Sequence, residues 1–395
     1  MPCFFKKERY TRTRKAFLSI INYIMKLTVF NLITFWLLLL FICSSGYSQG
    51  KVVIATSGTT EALQDAVNKA SPGDTVVIPE GTFSFSGSII MDSGLTLLGA
   101  GADRTVLLKS GSSAAPLIRV NGSNGLPSAF GGFTMSGIDN DTTRIRDTGI
   151  RLDGCLDFHL HDLEMRRFGN AAVYVTGNSR GVIRQSRFIE NYRHSIGNLG
   201  YGVVVYGEGQ AEWSRPLELG TENAVFIEDS YFRANRHAVA SNNGSVYVFR
   251  YNTVVDNASN FQPVDAHGLE YGSPRGSRSY EIYGNIIDNT AGTSWAGILI
   301  RGGDGVIFDN TFLRGTDNPV LLVNRTDGTH NSTSYPAQDQ TRSLYAWGNT
   351  LSGNPVSITV RPGHEHFFSE GRDYFNYKKP GYEPYTYPHP LGGTD

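Results

Sequence analysis

Cysteine is nearly absent from this sequence. Cys3, Cys43 and Cys155 are too few and too scattered for a disulfide framework, and none stands in a CxxC or other metal-ligand spacing. Neither bridges nor a structural zinc can hold the chain together, so stability must come from burial. Charge is sparse as well, at 18% of residues. The whole chain has 35 basic and 36 acidic residues, and the first 48 residues hold seven of the former and one of the latter. From Gln49 onward the balance is therefore 28 against 35, a net of −7, which excludes the basic footprint of a nucleic-acid partner. What is plentiful is glycine (45), tyrosine (20) and phenylalanine (22), the composition of an ordered, turn-rich chain with strand-forming aromatics.

The run Leu27 to Cys43 is apolar, follows a basic region and leads into the small residues Ser44-Ser45-Gly46-Tyr47-Ser48. It reads as an export signal over 1–48, cleaved near Gln49. Met25-Lys26 directly precedes the apolar core, so Met25 is a candidate start, with 1–24 an extension of the gene model. The alternative is a lipoprotein signal with Cys43 lipidated, the one route by which the chain would attach to a membrane. Either reading places the domain outside the cytoplasm, secreted or periplasmic, with an outer-membrane lipoprotein as the variant.

Beyond the signal, Leu63, Ala66, Val67 and Ala70 fall at helical spacing, with Thr59 or Thr60 as N-cap. Then come Ser71-Pro72-Gly73-Asp74, the strand Thr75 to Ile78, Glu80-Gly81-Thr82-Phe83, and Leu95-Thr96-Leu97-Leu98-Gly99-Ala100-Gly101. This succession resembles the N-terminal cap and first coils of pectate-lyase-like proteins, a group that includes bacterial polysaccharide lyases and C5-epimerases. The resemblance implies an all-β fold, a single-stranded right-handed parallel β-helix with a short N-terminal capping helix.

The rest of the chain supports one repeating domain. Six phrases share a phase: Gln185-Ser186-Arg187-Phe188, Asp229-Ser230-Tyr231-Phe232, Tyr251-Asn252-Thr253-Val254, Gly284-Asn285-Ile286-Ile287, Asp309-Asn310-Thr311-Phe312 and Gly348-Asn349-Thr350-Leu351. Ser186 to Ser230 spans 44 residues, Ser230 to Asn252 spans 22 and Asn252 to Asn285 spans 33, a coil of about 22 with insertions and the mark of a solenoid whose coils share one core. Asparagine at one corner of successive coils can hydrogen-bond along the stack. The boundaries expected are a cap and first coils over 49–110, the β-helix over 111–368 and a tail over 369–395. The Pro- and Tyr-rich tail is expected to wrap the last coils.

A second set of phrases precedes the Asn phrases. Alternation there puts Ile150, Val173, Val203, Ala238, Ala266 and Ile298 inside. Outside it leaves Arg151, Tyr174, Val204 with Tyr206, His237 with Val239, Asp265 with His267, and Leu299 with Arg301. This row is expected to form an open groove for an anionic polysaccharide. Polar groups gather in the last three coils, with His237 beside Asp265 and His267 one coil from Arg301.

For a uronic-acid polymer, elimination begins with loss of the proton next to the carboxylate. Arginine can hold that carboxylate bidentately, histidine can take the proton near neutral pH, and tyrosine can protonate the leaving oxygen. The catalytic residues expected are His267 as base, Arg301 or Arg236 on the carboxylate, Tyr271 or Tyr206 as donor, and His237 and Asp265 as orienting groups. Tyr174, Tyr206, Arg151, Glu270 and Arg361 are expected to bind the polymer.

Asp265-Ala266-His267-Gly268 is similar to the Asp-Pro-His-Asp segment of mannuronan C5-epimerases, but two of its four positions differ. A hydrolase is the alternative enzyme, with Asp265, Glu270 and Asp304 as its only candidate carboxylates. A non-catalytic adhesive solenoid is the alternative from outside enzymes. No cofactor is expected: calcium is the one candidate, but the calcium ladder of true pectate lyases is not visible, and Asp139, Asn140, Asp141 and Asp147 form an acidic loop that could bind a cation but reads first as a solvated turn. The chain is expected to be a monomer. The insertion 210–223 and the loop 327–341 are expected to rise beside the groove and set specificity.

Overall fold

The computed structural model describes residues 50–138, 145–193, 197–257, 261–269, 273–290, 292–325 and 335–393. The expected export signal and lipidation site lie outside them. Among the described residues no helix is long and apolar enough to cross a membrane.

The chain folds as a right-handed parallel β-helix. It begins with the capping helix Thr60–Lys69, whose N-cap Thr59 accepts from the Ala62 amide, and whose Leu63, Ala66 and Val67 are buried. Gln64 reaches from this helix to the first strand of the neighbouring sheet, where it accepts from the Ile90 amide and donates to the Ile90 carbonyl. The helix thereby occupies an edge that would otherwise offer free backbone groups to another chain.

Each coil then repeats one path. A strand of a ten-stranded parallel sheet, for example Ala171–Thr176, is followed by a turn of variable length. Next come two short strands joined by a sharp corner, such as Gly181–Arg184 and Arg187–Ile189. A second turn returns the chain to the ten-stranded sheet. Neighbouring coils pair in parallel and in register, and Leu160, Ile183, Ile227, Phe249, Ile282 and Ile307 stack as one buried column. Each such side chain contributes roughly 1.5–3 kcal/mol through burial, which no isolated coil could obtain.

The six phrases mark the sharp corner, as their phase predicts. The residue before each polar one takes the left-handed conformation, including Tyr251 (φ 55°) and Asp309 (φ 54°) as well as Gly284 and Gly348. The amides of Asn252, Asn285 and Asn310 donate to the side-chain oxygen of the next asparagine at 3.1, 2.9 and 2.9 Å, ending on Asn349. Each of the four also donates to a backbone carbonyl of the preceding coil, so the bend leaves no buried polar group unmet there.

The tail takes a different course from the one expected. It runs back over earlier coils instead of wrapping only the last ones. Arg250, fully buried, pairs with Glu228 and donates to the Tyr385 and Thr386 carbonyls, while the His389 amide donates to Glu228. Tyr382 donates to Glu281, and its ring closes over Phe308 and Trp347. Its tyrosines thus serve packing. The buried charges on the outer face, invisible as such in the sequence, give the strap its direction.

Candidate functional site

Two outward columns run along the ten-stranded sheet. Register makes the first Arg119, Arg151, Tyr174, Val204, Ala240, Asp265, Leu299 and Leu321. The second lies two residues further along each strand: Asp153, Thr176, Tyr206 and Asn242, continued past the paired positions by His267 and Arg301.

This register corrects one element of the alternation. Val203 pairs with Val239, and Val239 with Val264, so Val239 faces the core and Ala240 faces out. Both Ala238 and Val239 are buried in the core, as are Ala172 and Val173, so two successive residues near the start of each of these strands face inward. A strict period of two misses that doubling. The inward assignments of Ile150, Val173, Val203, Ala238, Ala266 and Ile298 stand.

The open row also needs correction. The Arg119 and Arg151 side chains are 53% and 38% exposed, but Val204, Ala240, Asp265, Leu299 and Leu321 are each 5% exposed or less. The outer face is therefore open over the early coils and covered over the later ones. Over the last coils the cover is apolar: Leu299 and Leu321 join Ala296, Val323 and Trp295 in a small hydrophobic cluster outside the helix.

Asp265 is the hub of the covered region. Its carboxylate accepts from Arg301 Nε (3.0 Å) and Nη2 (2.8 Å), from His267 Nε2 (3.0 Å) and from Gln262 Nε2 (2.8 Å). Burial by itself would raise this carboxyl, yet the charge of Arg301 and the contact with His267 outweigh it and hold it well below the usual carboxylate range. A carboxylate accepting at His267 Nε2 keeps a proton on that nitrogen, and the other ring nitrogen, Nδ1, is turned away from solvent.

His237 completes the cluster in a different state. It is fully buried, donates from Nδ1 to the Gln262 carbonyl, and stacks on Tyr201. Its Nε2 lies 3.5 Å from Asp265. Burial nevertheless dominates that attraction and pushes the imidazole down to about 3, so it is neutral at ordinary pH.

The remaining expected residues divide by position. Arg236 stands at the edge of the cluster, between the rings of Tyr201 and Phe261, and donates to the Tyr201 hydroxyl at 2.6 Å. Arg361 lies over Trp295, whose indole N–H donates to Gln262 Oε1, so a chain of contacts links Arg361 to Asp265. Tyr174 and Tyr206 stack on each other at 5.5 Å, with Arg151 over Tyr174, and belong to the open part of the columns. Tyr271 and Glu270 lie outside the described residues.

Asp304 is around the next corner, where it accepts from the Arg342 and Ser343 amides. Asp139, Asn140 and Asp141 are not described, but Asp147 is not a solvated turn residue. It is 2% exposed, accepts from the Gly169 amide at 2.6 Å and lies 4.0 Å from Lys109. Among the described residues no group of three His, Cys, Asp or Glu side chains is arranged to hold a metal. Sequence reasoning missed Gln262 and Trp295, which orient Asp265 from turns that carry no periodicity.

Two loops meet near this face, the insertion 210–223 and the described part of the loop 327–341. Arg275 donates to Gln210 at the start of the short helix Gln210–Trp213 and also pairs with buried Asp339. It joins the insertion to the described part of the loop 327–341.

The family model for rhamnogalacturonase A/epimerase, pectate lyase-like proteins matches residues 56–265, over half of the chain, and the chain belongs to that family. No curated protein matches it. Three solved structures share its architecture. An alginate lyase from Paenibacillus sp. str. FPU-7 is 17% identical with a TM-score of 0.51, over 80% of this chain and 98% of the other. The A-module of a mannuronan C-5 epimerase from Azotobacter vinelandii is 15% identical at 0.51, over 77% and 86%. A surface adhesin of Streptococcus pneumoniae is 12% identical at 0.50, over 82% and 81%. At these identities the likeness is one of fold, and function rests on the site.

Proposed function

We propose that the chain is an exported polysaccharide lyase that cleaves a uronic-acid-containing polymer by β-elimination. One observation carries this reading: a single buried, ionised carboxylate, Asp265, tethers an imidazole and a guanidinium side by side. His267 takes the proton next to the sugar carboxylate. The electron pair forms a carbon–carbon double bond as the glycosidic C–O bond breaks, and the leaving oxygen receives a proton from Tyr206 or Tyr271. Arg301, or Arg236 at the rim, neutralises the sugar carboxylate while charge builds on it. The open stretch of Arg151, Tyr174 and Tyr206 holds neighbouring sugars, with Arg361 at the other end; Glu270 is a further candidate contact to the polymer.

The likeness to an alginate lyase and a C5-epimerase supports an acidic polymer, since both reactions start with the same proton. A hydrolase is less well supported, because Asp265 already accepts from three side chains and Asp304 from two amides. A non-catalytic solenoid is the second reading, favoured by the cover over the later coils.

Incubation with a panel of polyuronates and glycosaminoglycans tests this, following ultraviolet absorbance of the unsaturated ends. The expected result is absorbance growth on at least one polymer, reduced about 10²–10⁴-fold in His267→Ala. Reducing ends without absorbance would indicate a hydrolase. Binding with neither product would indicate the non-catalytic solenoid.

A further inference from the structure

Around the corner from the Asp265 cluster, beyond Gly302 and Gly303, a separate open groove of roughly 420 Å³ lies between the insertion and the loop that follows the later coils. Trp213 forms one wall, Tyr335 the other, and Arg278, Arg342 and Arg372 converge on it. We propose that this groove is a second saccharide-binding site, which takes the carboxylate of an acidic sugar outside the outward columns of the ten-stranded sheet.

Positive charge is in surplus here although the protein is acidic. The chain from residue 49 onward carries a net of −7, yet three guanidinium groups meet here with two carboxylates, Asp304 and Asp373. Asp304 spends one oxygen on the Arg342 and Ser343 amides, and the other stands 3.8 Å from Arg278, too far for a hydrogen bond. Arg342 is exposed, and its guanidinium makes no hydrogen bond or ion pair with any described residue. Arg278 keeps a buried Nε–H without an acceptor among the described residues.

The groove is also built rather than incidental. Trp213 is clasped between Arg275 and Arg278, at 4.4 and 5.1 Å from its ring, and donates to the Gly276 carbonyl. Arg372 is fixed 3.9 Å above Tyr335 and paired with buried Asp373, which also accepts from the Tyr335 hydroxyl. Tyr335 remains 42% exposed, so its ring can meet the apolar face of a sugar. Two immobilised guanidinium groups, and a third with no partner among the described residues, beside an exposed aromatic ring suit a planar carboxylate on a ring, held bidentately. The proposal rests on an acidic polysaccharide as substrate, but it does not depend on the reaction performed on it.

Binding is measured by calorimetry with short oligogalacturonate, oligomannuronate and oligoguluronate, with a neutral oligoglucan as control. The expected result is salt-sensitive binding of at least one acidic oligosaccharide and none of the neutral one. Arg342→Ala should weaken it about tenfold, Arg342→Glu further, and Arg314→Ala, whose guanidinium pairs with Asp288 and does not line the groove, not at all. Wild-type affinity in Arg342→Glu, equal binding of the neutral sugar, or no binding of any acidic one would overturn the proposal. The lyase reading fails separately, by the absence of unsaturated product from the same wild-type sample.

Discussion

The ten-stranded sheet carries the same arrangement twice, once in water and once under cover. In the early coils Asp153 accepts from Arg119 at 2.8 Å and Arg151 at 2.7 Å. In the later coils Asp265 accepts from Arg301 and His267 at nearly the same distances. Two cationic or potentially cationic groups share one carboxylate in both places. Asp153 is 20% exposed and its arginines are more so, whereas Asp265 is 1% exposed. Geometry is therefore matched and environment is not, and environment sets what each cluster can do. A solvated triad is screened, worth little and free to exchange partners with a ligand, while a covered one is rigid and strongly polarising.

Replacing the two hubs breaks this comparison most directly. Asp265→Asn removes the buried carboxylate that Arg301, His267 and Gln262 share and should cost about 3–5 kcal/mol in denaturant unfolding, whereas Asp153→Asn should cost less than about 1 kcal/mol. Equal costs would show that the cover is open in solution.

A smaller effect separates the clusters by pH. His237 has its imidazole lowered from 6.5 to about 3, so the unfolded chain binds its proton first as pH falls. Its contribution is present above about pH 6.5 and is lost progressively below it, by about 2 kcal/mol on reaching pH 5. His237→Asn, which can keep a donor toward the Gln262 carbonyl, should flatten that part of the stability curve. His159 and His389, each lowered to about 4 by burial, should leave a residual slope in the variant.

The smallest effect belongs to the open side. Arg119→Ala should change stability by less than about 1 kcal/mol, and the change should vanish as salt is raised. A loss that persisted in high salt would mean that the early coils are also covered.

The solenoid was legible because its signals are local and periodic: the Asn phrases, the helical spacing of Leu63, Ala66 and Val67, and the apolar columns. The meeting of Asp265, His267 and Arg301 was legible for the same reason, since one coil of separation brings them together. The exposure of that site was not. Outward apolar residues such as Val204, Leu299 and Leu321 look in sequence like any other strand residues, and only packing reveals that they are covered. Gln262 and Trp295 escaped because turn residues obey no period. Val239 was misassigned because it and its neighbour Ala238 both lie in the core, against strict alternation.

The returning tail changes how such a molecule comes apart. A stack in which each coil touches only its neighbours can fray from either end, one layer at a time. Here Arg250 and Glu228 grip the chain about 135 to 161 residues further on, so the terminus is moored amidships. Peeling the last layer then also tears contacts in the middle, and the zipper behaves more like a clasped book.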